Sequence, residues 1–228
     1  MAGERMASTD TPAARGSQAT EATLPLLTLD IASRLLFFER MLRLVADNDG
    51  DVVECGVGWG RSLLDWALLV RLEERRRHIW GFDSFEGFPE PSPEDKGVRS
   101  VQRGEWRTDL ASVMKMLEGS GLDTEFVRYR VTLVKGFFAD TLPRYNGPGI
   151  AVLHIDADLY HSYLGVLRYL YDRVVPGGVI VFDEYLNTMD LEKFPGASAA
   201  INEFFDGREQ IRRDKPSGRY YVVRGGGE

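Results

Sequence analysis

Apolar residues recur at Ile31, Leu35, Phe38, Leu42 and Val45, the spacing of one helix face, so an amphipathic helix is expected over 29–45. Beyond it, short apolar runs alternate with helical patterns. Strands are expected over 51–55, 79–82, 131–134, 150–155 and 179–182, and helices over 61–76, 108–117 and 159–173. Pro176-Gly177-Gly178 reads as the turn into the last of these strands. Strand–helix alternation implies a parallel sheet with right-handed crossovers.

The pattern then changes. A helix over 197–205 ends at Asp206-Gly207, and the runs 210–213 and 219–223 flank Lys215-Pro216-Ser217-Gly218, a hairpin signal. The sheet should therefore finish with an antiparallel strand. Residues 86–107 hold Pro89, Pro91, Pro93, Gly97 and Gly104 and form a connection long enough to suggest a lid over a substrate. Residues 1–23 are rich in Ala, Thr, Ser and Gly without an apolar stretch, so they are expected to be a disordered tail before one domain over 24–228.

Composition narrows the classes. A net charge of −7 argues against a nucleic-acid binder, and no apolar run has the length of a membrane span. The basic cluster Arg75-Arg76-Arg77 is expected to be the solvated end of a helix. Cys55 is the single cysteine, lies in an apolar strand, and is expected to be a buried inert thiol in a reducing, cytoplasmic setting.

Chemistry gathers at the strand ends. Asp156 and Asp158 follow one apolar strand, and Asp183 and Glu184 follow another. Ligands of open α/β sheets bind at that edge, and a cup of carboxylates suits a hard cation such as Mg²⁺. The segment Glu54-Cys55-Gly56-Val57-Gly58-Trp59-Gly60-Arg61-Ser62 is strand, glycine loop, helix, but Arg61 stands where a dinucleotide fingerprint needs its third glycine. Glu54 would repel a pyrophosphate and attract an ammonium, while Asp83 at the end of the next strand is placed to hold a ribose. S-adenosylmethionine, cationic at its sulfonium and amino groups, meets those demands.

Five segments, Glu54-Cys55-Gly56-Val57, 82–89, 134–143, 154–160 and 183–185, together resemble the macrocin O-methyltransferase (TylF/MycF) family over residues 50–205. The resemblance implies an α/β, single-domain class I methyltransferase with a Rossmann-like fold. Its mostly parallel seven-stranded sheet would have a final antiparallel strand and helices on both faces. It implies that Glu54, Gly56, Val57, Gly58 and Ser62 face the methionine part of S-adenosylmethionine. Asp83 and Ser84 would hold the ribose, and Gly136 and Phe137 would border the adenine. Asp156 would lie beside the cofactor and, with Asp183 and Glu184, bind Mg²⁺. Glu184 stands where the family has an aspartate, and Gly58-Trp59-Gly60-Arg61-Ser62 departs from the family's loop.

The expected activity is methyl transfer to a small-molecule hydroxyl, above all a sugar hydroxyl of a glycosylated natural product. A catechol-type acceptor and a non-catalytic scaffold that keeps the fold are the alternatives. Asp158 is the candidate general base, with the N-cap of the following helix as its structural alternative. His161 is a second candidate base. His154 is expected to be buried and hydrogen-bonded. The apolar helix over 29–45 and the family resemblance suggest a homodimer or higher oligomer.

Overall fold

The structure is a computed structural model and describes residues 28–73, 75–186 and 192–226. The expected tail over 1–23 and the expected start of order at residue 24 lie outside the described residues. Helix α1 (Leu29–Leu44) is capped by the Thr28 hydroxyl, which accepts from the Ile31 N–H. It buries Phe37, Phe38, Met41 and Leu42, with the Phe38 ring stacked 3.9 Å from that of Trp66.

Strands β1 (Asp51–Cys55), β2 (Ile79–Asp83), β3 (Val131–Lys135), β4 (Ile150–Ile155), β5 (Val174–Phe182), β6 (Ile211–Arg213) and β7 (Tyr220–Val223) form one sheet of order β3-β2-β1-β4-β5-β7-β6. The first five are parallel, and β7 pairs antiparallel with both β5 and β6. The expected hairpin is β6 and β7, and β7 is the expected antiparallel strand at the end of the chain.

Alternate strand residues feed two cores. Val53, Cys55, Leu153, Ile155, Ile180 and Phe182 pack with helices α6 (Tyr160–Leu170) and α7 (Pro195–Phe205). Val52, Val152, Val179 and Val181 pack with α1, α2 (Arg61–Leu72), α3 (Leu110–Glu118) and α4 (Thr124–Arg130). A short helix α5 (Phe138–Thr141) follows β3. Cys55 is wholly buried, as its apolar strand implies, and burial holds its thiol well above its usual range.

Three local expectations are corrected. Pro176-Gly177-Gly178 lies inside β5. Gly177 adopts φ +78°, and a register shift between Ile150 and Val152 absorbs the irregularity, while the Gly177 N–H donates to the Arg224 carbonyl and the Arg224 N–H donates to the Gly178 carbonyl. Helix α2 ends at Leu72, and Arg77 is a buried plug rather than part of a solvated end. Its guanidinium donates to Glu73 and to the carbonyls of Val45, Asn48 and Gly50. Helix α4 falls in a stretch with no expected element; Asp123 caps it by accepting from the Phe126 N–H at 2.6 Å.

What positions the site is the carboxyl edge. Strand order reverses about β1 and β4, the switch point at which α/β sheets bind ligands. The ladder continues one residue past each strand. Gly136 N–H donates to the Asp83 carbonyl, Gly56 to Phe82, Asp156 to Cys55 and Asp183 to Ile155, each at 2.8–3.0 Å. Those bonds set the departing loops side by side along the edge.

Candidate functional site

Above this edge lies a cavity of about 500 Å³. Gly56, Val57, Gly58, Ser62, Asp83, Ser84, Phe137, Asp156, Asp158, His161 and Asp183 all line it. Of the other residues singled out from sequence, Glu54, Gly136 and Glu184 do not reach its wall. Gly136 instead ties β3 to the Asp83 carbonyl.

The glycine loop has two functions. A Cβ on Gly56 would lie 1.7 Å from the Asp156 carbonyl oxygen, so the neighbouring loop demands the bare position. A Cβ on Gly58 would meet nothing within 4 Å, and there the open space belongs to the cavity. The Gly58 N–H donates to Asp83 Oδ2 at 2.8 Å, and the Phe85 N–H donates to Oδ1 at 2.6 Å. One carboxylate therefore fixes both the glycine loop and the turn after β2. Each oxygen keeps lone-pair capacity for a hydroxyl. The Ser84 hydroxyl donates to the Gly87 carbonyl and accepts from Glu86, bracing that turn.

Beneath the loop, Glu54 and His154 are wholly buried and in contact, with Nδ1 to Oε1 3.0 Å. The expectation of a buried, hydrogen-bonded His154 holds. Burial pushes the Glu54 carboxyl above its usual range. Its Oε2 has no hydrogen-bond partner by geometry, although Ser62, a cavity residue, interacts with the same carboxyl.

The acids meet at the other side. Carboxylate oxygens of Asp156, Asp158 and Glu184 lie within 4.8 Å of one another. Burial, reinforced by the charge of Asp183, lifts Asp156 to about 7. Burial, with the charges of Asp158, Asp156 and Asp183, lifts Glu184 well above its usual range. Tyr163 Oη reaches Glu184 Oε2 at 2.7 Å, and the Glu184 N–H donates back to that hydroxyl at 3.3 Å. Asp183 Oδ1 accepts from Arg219 Nη1 at 2.6 Å. This donor set, hard oxygens crowded in low dielectric at a cost in mutual repulsion, fits a hard dication, which would relieve that repulsion.

Asp158 is not the cap of α6. The cap position is Leu159, whose side chain caps nothing, and Asp95 from the 86–107 loop accepts from the Tyr160 N–H at 2.7 Å instead. Asp158 itself sits at φ +57°, a left-handed conformation that Asp tolerates better than most side chains. Such strain collects at functional sites.

The 86–107 loop is anchored at several points. The Phe88 N–H donates to the Glu105 carbonyl, the Gly104 N–H to the Phe88 carbonyl and the Val98 N–H to the Glu192 carbonyl, and Arg99 pairs with Glu105. Phe88, Leu159 and Phe194 form a small core under it, with Trp106 against the Phe88 and Phe194 rings. Phe88 and Trp106 also face the cavity. From α1, Asp30 and Arg34 add to the wall.

Sequence reasoning missed Arg219, Asp95, Asp30 and Arg34. All reach the site from distant segments, and no local spacing marks them. Trp59, exposed on the glycine loop and lining the cavity, was visible as a departure from the family pattern.

The family model described as macrocin-O-methyltransferase (TylF) matches residues 8–211. A mycinamicin III 3''-O-methyltransferase from Micromonospora griseorubida is 32% identical over 166 residues, which are 69% of this chain and 61% of that protein. The 8-demethyl-8-(2,3-dimethoxy-alpha-L-rhamnosyl)-tetracenomycin-C 4'-O-methyltransferase from Streptomyces olivaceus is 34% identical over 142 residues, 60% of this chain and 53% of that protein. The chain thus spans about 53–61% of the length of these curated relatives. Among solved structures, a calicheamicin methyltransferase superposes with a TM-score of 0.75 at 27% identity, over 86% of this chain and 80% of the other. The O-methyltransferase NovP superposes with a TM-score of 0.70 at 25% identity, over 84% and 79%.

Proposed function

The chain belongs to the macrocin-O-methyltransferase (TylF) family and has the class I methyltransferase fold, and from that premise we propose that it transfers a methyl group from S-adenosylmethionine to a hydroxyl on the sugar of a glycosylated natural product, with the help of Mg²⁺. One observation carries the reading. A single cavity at the sheet's switch point has Asp83 and the glycine loop on one side and Asp156, Asp158, His161 and Asp183 on the other.

Each residue has its task in this account. Asp83 accepts the ribose hydroxyls while holding the glycine loop in place. The open face of Gly58 and the hydroxyl of Ser62 border the methionine part, and Phe137 borders the adenine. Glu54 supports the floor from below. Asp156 and Glu184 from the converging acid group, with Asp183 beside it, would hold Mg²⁺, which when bound orients hydroxyl groups and makes their protons easier to remove.

Methyl transfer from a sulfonium is an in-line displacement, so the protein must place the acceptor oxygen and take its proton. Asp158 takes that proton. It is nearly buried, lies within the acid group and lines the cavity. His161, also on the wall, is the neighbouring residue to which the proton can pass. Phe88 and Trp106 on the 86–107 loop form the lid side, against which an acceptor ring packs and excludes water. Among the described residues no helix is long and apolar enough to cross a membrane.

Titration calorimetry with S-adenosylhomocysteine tests the cofactor half of the proposal. Binding is expected, and its absence both with and without Mg²⁺ would favour a scaffold that keeps only the fold.

A further inference from the structure

We infer that Arg219 is a built-in counter-cation that competes with the divalent cation for Asp183 and so sets how tightly that cation is held. The inference rests on the metal reading above and concerns a residue outside every family-like segment of the sequence.

Arg219 enters the site from the loop before β7. Its Nη1 donates to Asp183 Oδ1 at 2.6 Å, and its Nη2 lies 3.7 Å from Asp30 Oδ1 on α1. The Arg219 side chain is 18% exposed, and the residue lines the same cavity as Asp156, Asp158 and Asp183. Asp156, Asp158 and Glu184 already converge within 4.8 Å, while Asp183 stands outside that group, held by Arg219. A guanidinium keeps its proton at any working pH, so this charge is permanent. It occupies one oxygen of Asp183 and repels a second cation drawn to the same carboxylate.

The pairing also explains how four acids persist at one edge. Arg219 neutralises one of them, which leaves fewer charges for an incoming ion to balance. The hairpin is tied to α1 independently, through Nε and Nη2 of Arg40 on the two carboxylate oxygens of Asp214. Removing Arg219 therefore leaves the hairpin anchored.

Mn²⁺ titration followed by electron paramagnetic resonance of the free ion, without donor or acceptor, is the test. R219Q and R219M are expected to bind Mn²⁺ about tenfold more tightly than the wild type. R219K, which keeps the charge and is the gentlest change to the fold, is expected to stay within about threefold. In a D183N background, R219Q is expected to change affinity by less than about threefold, because the contested carboxylate is gone. Equal affinity of wild type and the neutral variants would overturn the inference. So would an equal tightening in the D183N background, which would mean simple repulsion without competition. Failure of the wild type to bind Mn²⁺ at all would overturn the metal reading itself and this inference with it.

Discussion

Nδ1 of His154 lies 3.0 Å from Oε1 of Glu54, and neither side chain has any exposed surface. The Trp66 indole donates to the same nitrogen at 3.3 Å. The ring nitrogen has one bonding position in the plane of the imidazole, so Glu54 and Trp66 meet at the same atom, with Glu54 the nearer of the two. Burial raises the Glu54 carboxyl; burial alone would lower His154, but the neighbouring Glu54 outweighs it and raises the imidazole, so the pair holds a proton between its two members.

This buried hydrogen bond leads to the first prediction. Glu54→Gln can still donate to Nδ1, so it should change stability by less than about 1 kcal/mol and leave S-adenosylhomocysteine affinity within about threefold. Glu54→Leu cannot, and should cost about 1–3 kcal/mol. Urea denaturation and calorimetry on both variants decide. A tenfold loss of affinity in Glu54→Gln would show that the carboxylate acts as an anion on the cofactor's ammonium.

Asp83 should behave differently. It accepts the Gly58 N–H of the glycine loop and the Phe85 N–H of the turn after β2, and in the proposed function it also holds the ribose. Asp83→Ala removes charge-assisted bonds worth about 1.5–3 kcal/mol each. Calorimetry should show at least about a tenfold loss of S-adenosylhomocysteine binding.

Asp158→Asn should slow single-turnover methyl transfer by about 10²–10⁴-fold, the usual weight of a general base. Mn²⁺ affinity should fall far less. An unchanged single-turnover rate would remove Asp158 from the mechanism and leave His161 as the base.

The hairpin offers a pH test of stability. Burial alone would raise Asp214, but Arg40 and Ser217 outweigh it and hold the carboxyl below its usual range. A carboxyl depressed in the folded state adds stability above its unfolded value, near 3.9, and loses it as pH falls through the lower folded value. With Arg40 partly exposed, Asp214→Asn should cost about 1 kcal/mol at pH 7. Thermal melts should show the gap from the wild type closing below about pH 4. A gap constant down to pH 3 would mean that the ion pair contributes nothing.

The strands β1, β2 and β4 were legible because short, mostly apolar runs bounded by Gly or acid have few other readings. Their terminal acids were legible for the same reason. The N-terminal half of β5 was not, because Pro-Gly-Gly looks like a turn until the backbone bonds with Arg224 are seen. Helix α4 was hidden behind Gly119-Ser120-Gly121, although Asp123 before Thr124-Glu125 is a cap signal. The side chains that finish the site were beyond reach for another reason. Asp95 meets Tyr160 across 65 residues, and Arg219 meets Asp183 across 36. No local pattern encodes such pairings; they exist only once the sheet sets the loops side by side.

Transfer of labelled methyl from S-adenosylmethionine to a panel of rhamnosylated and other deoxysugar glycosides, alongside simple catechols, with Mg²⁺ and with chelator, addresses the central claim. The account predicts label on a sugar hydroxyl in the Mg²⁺ arm and its loss with chelator and in Asp156→Asn. Label on catechols alone, or full transfer to sugars in the presence of chelator, would contradict it.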